Sequence, residues 1–293
     1  MRSDLKVSLL YNEDAGEGVL ANHLRHWLER AGHELAHLVD KDSDLDKVAE
    51  STDLVVAAGG DGTVWRGVRA VSGKRTPLAI LPLGTANNIA RSLGIEGSVP
   101  ELINGWKSAV RRPLDVGVAR GAWGESGFIE SVGSGLIPHG IAAMESLPAP
   151  AGEDADSKLT RAVRTYRDVL AHLRPRGWRL SVDGQRIDGE FLLLEVLNIR
   201  SIGPNLVLSP EAHPSDGLFD VVTAGEEHRQ EIDDYLRQRL KGWQGRLSLP
   251  RRRARRVEID GWEEMHLDDQ VCSGPAFSTV SIDIVPGAVQ FLS

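Results

Sequence analysis

The run Val55-Val56-Ala57-Ala58-Gly59-Gly60-Asp61-Gly62-Thr63 carries a short apolar segment into a glycine-rich turn that opens a helical pattern. Glycines tolerate positive φ and let a ligand come close to the backbone, and N–H groups at a helix start attract anions. Such a turn suits a phosphate. A carboxylate inside an anion-binding turn is unfavourable unless a cation is held there, so Asp61 points to Mg²⁺ on nucleotide phosphates. The turn lacks the Gly-Lys-Ser/Thr ending of a P-loop, and Trp65 stands where the dinucleotide fingerprint needs its third glycine. A second turn, Leu81-Pro82-Leu83-Gly84-Thr85-Ala86-Asn87-Asn88-Ile89-Ala90-Arg91, repeats the order of strand, glycine and helix start. Thr85 offers a hydroxyl there, and Asn87 or Asn88 an N-cap.

The elements that must position these turns alternate between two periods. Lys6 to Asn12 and Asp53 to Gly59 read as buried strands. Between them Leu20, Leu24, Trp27, Leu28 and Ala31 form one apolar stripe of a helix over 18–31, stopped by Gly32. A strand Glu34 to Asp40 and a helix Asp44 to Glu50 complete the first repeat. A helix after Gly62, a strand Pro77 to Leu83, helices Ala86 to Leu93 and Val99 to Val110, and a strand Pro113 to Val118 follow. Strand and helix in alternation predict an α/β, doubly wound domain with a parallel sheet covered on both faces, over 1–118. In such sheets ligands bind beyond the carboxyl ends of the strands, where both turns fall.

From 119 to 278 strands come in runs: Phe128 to Val132, Trp178 to Val182, Phe191 to Asn198 and Leu218 to Ala224. This predicts a mostly antiparallel domain, interrupted by helices at Lys158 to Leu173 and Glu227 to Lys241. Glu145 to Ser157 reads as a loop. The last strands, Thr279 to Val285 and Ala288 to Leu292, could pair in either domain.

Composition narrows the function. Lys+Arg 34 against Asp+Glu 42 leaves a net charge of −8, which repels a polyphosphate backbone, so nucleic acid is not expected as a partner. The one cysteine, Cys272, permits no internal disulfide and reads as a small filler. No uncharged apolar run reaches the roughly 18 residues of a spanning helix, and the amino terminus turns polar too early for a signal peptide. A cytoplasmic protein touching membranes from their surface is the expectation.

At its two glycine turns the sequence resembles the diacylglycerol kinase catalytic domain family, in particular the bacterial soluble lipid kinases. Gly59-Gly60-Asp61-Gly62-Thr63 matches the family's Gly-Gly-Asp-Gly-Thr, and Pro82-Leu83-Gly84-Thr85-Ala86-Asn87-Asn88-Ile89-Ala90-Arg91 matches its Pro-x-Gly-Thr-Ala-Asn-Asp-Phe-Ala-Arg. Tyr11-Asn12 with Gly16 and Gly18 looks like its first nucleotide loop, and Leu114-Asp115-Val116-Gly117 like its Val-Asp-Ile-Gly strand. Ser209 to Leu218 resembles its Pro-Asp-Ala-x-x-x-Asp-Gly-x-Leu segment.

The resemblance implies a nucleotide-binding α/β domain, a β-sandwich-like second domain, final strands 279–293 returning to the first, and ATP in the cleft between them. Asn12, Gly59, Gly60, Asp61, Gly62, Thr63, Gly84, Thr85 and Asn87 would then belong to the nucleotide loops. Asp61 and Asp115 would join the Mg²⁺ and water network, and a second, structural Mg²⁺ would be held at His213, Asp216 and Leu218. The implied activity is ATP-dependent phosphorylation of a hydroxyl of diacylglycerol or a related lipid. Its partners are ATP and a lipid at an anionic membrane surface, with a homodimer as the assembly to test.

Three departures bear on catalysis. Trp65-Arg66 replaces the family's Asn-Glu, and Asn88 its Asp. The family's Leu-Asp-Gly-Glu, whose Glu resembles a general base, reads Leu267-Asp268-Asp269-Gln270 here. A neutral amide cannot accept a proton. Either Asp268 or Asp269 serves instead, or the protein binds nucleotide with weak or no transfer. An NAD kinase, which shares Gly-Gly-Asp-Gly, is disfavoured because no Asn-Thr-Gly-x-x-Gly-Phe-Leu-like segment is present.

Weaker signals complete the reading. Arg251-Arg252-Arg253 with Arg255-Arg256 is expected as a solvated turn, with contact to anionic lipid as its functional alternative. The nine histidines show no zinc spacing. Trp27 and Trp65 read as packing residues, and Ser131, Ser134 and His139 lack the Gly-x-Ser-x-Gly elbow of a hydrolase.

Overall fold

The computed structural model describes residues 4–12, 21–39, 45–243 and 245–293. Gly16, Gly18 and Leu20 of the sequence reading lie outside them, as do Asp40 and Asp44. Two compact units divide the chain, residues 1–115 with 286–293 and residues 116–285.

In the first unit β1 (Lys6–Tyr11), β2 (Glu34–Val39), β3 (Leu54–Gly59) and β4 (Leu78–Pro82) run parallel in the order β2-β1-β3-β4. Every residue of β3 is buried, so its sequence is a continuous apolar run rather than an alternation. Helices α1 (Ala21–Arg30), α2 (Leu45–Glu50), α3 (Asp61–Val71), α4 (Asn88–Ser92) and α5 (Val99–Gly105) fill the connections. The stripe read from the sequence is the buried face of α1, where Leu24 and Leu28 have no exposure. Helix α5 was expected to reach Val110. It begins in a Ser98/Glu101 capping box and stops at Gly105, a weak helix former.

The chain enters the second unit along β5 (Arg111–Gly121). It then forms β6 (Gly124–Phe128), β7 (Ser131–Gly135), α6 (Leu136–Ser146), α7 (Ala155–His172), β8 (Arg176–Val182), β9 (Gln185–Phe191) and β10 (Leu193–Leu197). The short pair β11 (Ser201–Ile202) and β12 (Leu206–Val207) leads to β13 (Phe219–Ala224), α8 (Arg229–Leu240), β14 (Arg251–Ala254), β15 (Arg256–Leu267) and β16 (Gln270–Leu292). The pairing is antiparallel throughout β14-β13-β10-β7-β15-β16.

Strand β15 serves two partners. Val257 to Asp260 pair with β8, and Met265 to Leu267 with β7. The change occurs across a bulge at Gly261, whose φ of +86° suits glycine. Alternation along β10 sends Leu194 and Val196 into a core with Phe128, Phe219 and Trp262, and Leu193 and Leu197 into another with Tyr166, Leu170 and Leu236 of α7 and α8.

The sequence reading needs four corrections here. Phe128 to Val132 is two strands, β6 and β7, broken at Ile129-Glu130. The expected loop Glu145–Ser157 contracts to Leu147–Asp154, because α6 precedes it and α7 starts at Ala155. Pro138 and Gly140 hid α6, although proline is tolerated in a first helical turn. The arginine run is strand β14 rather than a turn. Its Ala254 is buried opposite Phe219, and two of its three arginines are neutralised locally, Arg251 by Glu211 and Asp220 and Arg253 by Asp216. The two last strands are one: β16 pairs with β15 in the second unit, and Phe291 near its end pairs in parallel with Leu78 of β4 in the first.

Phe128 and Phe219 are fully buried and stacked, with centroids 5.6 Å apart. Phe128→Ala should remove about 3–5 kcal/mol from the second unit. Urea unfolding followed by tryptophan fluorescence should show its midpoint fall, and an unchanged midpoint would refute this placement of the core.

Candidate active site

The first unit gathers the expected nucleotide residues at the carboxyl ends of β1, β3 and β4. Asn12 follows Tyr11, which pairs with Ala58, and Gly59 pairs with Pro82. The turns after β3 and β4 touch backbone to backbone: a Cβ on Gly84 would stand 2.3 Å from the Gly60 Cα, and one on Gly59 2.3 Å from the Thr63 Oγ1. These glycines are required by contact. The turn Gly60-Asp61-Gly62 is left able to meet a ligand with main chain, Gly62 being exposed and Thr63 buried.

Asp61 holds the two turns together. Its Oδ2 accepts the Asn88 N–H and its Oδ1 the Ile89 N–H, each at 3.0 Å. The N-cap expected from Asn87 or Asn88 is therefore supplied from the other turn. Asn87 sits at φ +51° and closes the Gly84 turn instead, its Oδ1 accepting the Gly84 N–H at 2.9 Å and its Nδ2 donating to the Gly84 carbonyl at 2.6 Å. Asp115 is buried, and its Oδ1 accepts the Gly287 N–H at 2.7 Å. Thr85 is half-buried beside Gly84.

The second unit holds the other candidate residues at the turn between β15 and β16. Asp268 adopts φ +51°, its N–H donating to the Ser131 carbonyl at 2.9 Å. Its Oδ1 accepts N–H groups of Ile129, Glu130 and Ser131 at 3.2, 2.7 and 3.2 Å, while Oδ2 shares the Ile129 donor at 3.1 Å. The break between β6 and β7 exists to present these donors, because a continuous strand would spend them on its ladder. Burial pushes the Asp268 carboxyl up to about 7, against the backbone donors and the His266 ring, which pull it down. Asp269 and Gln270 are exposed.

Two groups escaped the sequence reading. Glu195 and His266 are fully buried, with Nε2 at 2.9 Å from Glu195 Oε2. The signal was a lone acid in the otherwise apolar run Phe191-Leu192-Leu193-Leu194-Glu195-Val196-Leu197, since a charge is almost never fully buried unless paired.

At the expected structural cation site, Asp216 Oδ1 accepts the Leu218 N–H at 3.1 Å and the other oxygen is ion-paired with Arg253. The His213 carbonyl accepts the Ser215 N–H at 2.8 Å. In this arrangement a guanidinium, rather than a metal ion, neutralises the carboxylate. Among the described residues, no group of three His, Cys, Asp or Glu side chains is placed to hold a metal ion.

Comparison with known proteins bears on these two sites. Residues 6–119 match the model of the diacylglycerol kinase catalytic domain, and residues 140–293, more than half the chain, that of the YegS C-terminal NAD kinase beta sandwich-like domain. The chain belongs to the family of the YegS C-terminal NAD kinase beta sandwich-like domain, and its first part matches the diacylglycerol kinase catalytic domain. It is 27% identical to the diacylglycerol kinase of Bacillus subtilis, covering 90% of this chain and 88% of that one. A Pseudomonas aeruginosa protein named "Probable lipid kinase YegS-like" is 29% identical, covering 99% and 94%. The crystal structure of a diacylglycerol kinase from Bacillus anthracis superposes with a TM-score of 0.70 at 21% identity, covering 99% and 98%, which is a likeness of fold. This lipid-kinase family membership agrees with the α/β first domain and β-sandwich-like second domain read from the sequence.

Gly84→Ala should force the turns apart, costing about 1–3 kcal/mol of stability and weakening ATP binding in calorimetry; ATP affinity equal to wild type would show that the contact is dispensable. Because Arg253 holds Asp216, a chelator should leave the melting temperature of the nucleotide-free protein unchanged. A fall in that temperature on chelation would restore a structural cation.

Proposed function

We propose that the protein transfers the γ-phosphoryl group of Mg-ATP to a hydroxyl of diacylglycerol or a related lipid, at an anionic membrane surface met from the cytoplasm. The observation that carries this reading is the pair of glycine turns in backbone contact, tied by Asp61. Helix starts and glycine backbone favour phosphates, and little covalent work falls to the protein in such a transfer, where positioning and charge stabilisation dominate. Asp61 and Asp115 are hard oxygen donors of the kind Mg²⁺ takes, and when bound the ion would neutralise charge on the phosphates.

Asp268 is the proton acceptor in this reading. The lipid O–H proton passes to Oδ2 as the lipid oxygen bonds to the γ-phosphorus, and the bond to the β,γ-bridging oxygen breaks to release ADP. Support comes from its fixed orientation and from a carboxyl pushed up to about 7, close to the value that suits a general base near neutral pH. A cavity of about 230 Å³ in the same unit has a mixed lining, with Leu173, Trp178 and Phe191 beside Ser134, Arg176 and Glu264, and offers an amphipathic lipid both apolar and charged contacts. Glu264 lies on β15, which runs into the Asp268 turn, and Ser134 on β7, which pairs with β15. Among the described residues no helix is long and apolar enough to cross a membrane.

Gln270 favours a second reading, a nucleotide-binding protein of the same fold in which transfer is weak. The readings part on mutation. Asp268→Asn should lower lipid phosphorylation by about 10²- to 10⁴-fold with the fold retained, and Gln270→Glu should add little. Diacylglycerol, phosphatidylglycerol and sphingoid acceptors with radiolabelled ATP provide the assay. A large gain from Gln270→Glu would mean that Asp268 is not the base, and no phosphorylated lipid from either protein despite ATP binding would leave the second reading.

A further inference from the structure

Three adjacent strands carry Glu195, Gly133 and His266 in one row. Glu195 of β10 lies opposite Gly133 of β7, and Gly133 lies opposite His266 of β15. A Cβ on Gly133 would stand 2.3 Å from the Glu195 Oε1, so the missing side chain is the space through which Glu195 and His266 meet over the middle strand. Nε2 of His266 is 3.0 and 2.9 Å from the two carboxylate oxygens, and Nδ1 is 2.8 Å from the Asp268 carbonyl oxygen.

These contacts fix the proton count. A carbonyl only accepts, so Nδ1 carries a proton and donates it to Asp268. One further proton lies between Nε2 and the carboxylate, and the pair as a whole is neutral. Burial alone would lower His266, but the Glu195 charge and hydrogen bond raise it. Buried pairs of this kind are often no more stabilising than apolar residues of the same volume, so fold stability is a weak reason for one here. The ring leads to the Asp268 turn, where it holds the main chain while Ile129, Glu130 and Ser131 hold the side chain.

We propose that Glu195 and His266 are positioning residues for phosphoryl transfer: the carboxylate keeps the proton on the ring, and the charged ring holds the Asp268 turn and favours the ionised Asp268 carboxylate. This rests on the reading of Asp268 as proton acceptor. Among the described residues, Tyr166 of α7 faces Glu195 and also Glu130, on the segment between β6 and β7, and burial pushes its hydroxyl up so far that it stays neutral.

Glu195→Gln keeps the shape, can donate to Nε2 and leaves the ring neutral. The test follows the Asp268 carboxyl carbon by NMR titration and the pH dependence of lipid phosphorylation in wild type and this variant. The Asp268 midpoint should rise by about one unit, and the acid limb of kcat should move with it while KM for ATP stays unchanged. A folded variant whose midpoint and limb stay in place overturns the proposal, whatever its loss of overall rate. If Glu195→Gln does not fold, the double variant Glu195→Gln with His266→Gln, an uncharged hydrogen-bonded pair, is read by the same midpoint. If folded wild type phosphorylates no lipid, the kinase reading fails alone, and the NMR midpoint still decides whether the pair governs Asp268.

Discussion

The carboxylate of Asp61 reaches from the start of one helix to the start of another and takes the first free N–H groups of α4, those of Asn88 and Ile89. The geometry of both glycine turns follows from that link. With α4 capped from the neighbouring turn, Asn87 is released to close the Gly84 turn at positive φ, and Gly84 can rest against the Gly60 backbone. Each step removes a side chain from the place where a ligand would meet main chain. Five-residue α4 is too short to persist by propensity, so the cap and its buried Ile89 hold it.

The second unit uses the same device with a different outcome. Asp268 also satisfies backbone donors, here three N–H groups freed by a break between two strands, but it does so from an αL turn gripped by a buried histidine. Burial and the donors pull its ionisation in opposite directions, and the balance lies near neutral pH. Asp61 is spent on architecture as well as on any cation, whereas Asp268 keeps a less engaged oxygen. The charge arrangement at β14 is another case of internal neutralisation, since Arg251 and Arg253 are matched by acids of their own unit.

What was legible in the sequence was local. Apolar runs ending in glycine located β3 and β4 and both turns, because burial on both faces and the need for positive φ or close approach leave direct traces in residue type. The stripe of α1 was equally plain. The cap on α4 was not, because its donor and acceptor are 27 residues apart and Asn87 offered a nearer, ordinary candidate. Helix α6 hid behind Pro138, and β14 behind three arginines that are solvent-exposed, so that only Ala254, buried opposite Phe219 of β13, marks the strand. The Asp268 turn was located by resemblance, but its grip is long-range, to residues some 137 to 139 positions away. Glu195 left a trace that went unread, a single acid in an apolar strand.

The claim on which the rest depends is that Asp61 builds the proposed nucleotide site by joining the two turns. Amide hydrogen exchange at Asn88 and Ile89, measured with Mg-ATP calorimetry on wild type and Asp61→Ala, tests it most directly. Both amides should be protected in wild type and exchange rapidly in the variant, and ATP affinity should fall by about tenfold or more, roughly 1.4 kcal/mol, in the same samples. Full ATP affinity in a variant whose Asn88 and Ile89 amides have lost their protection would contradict it.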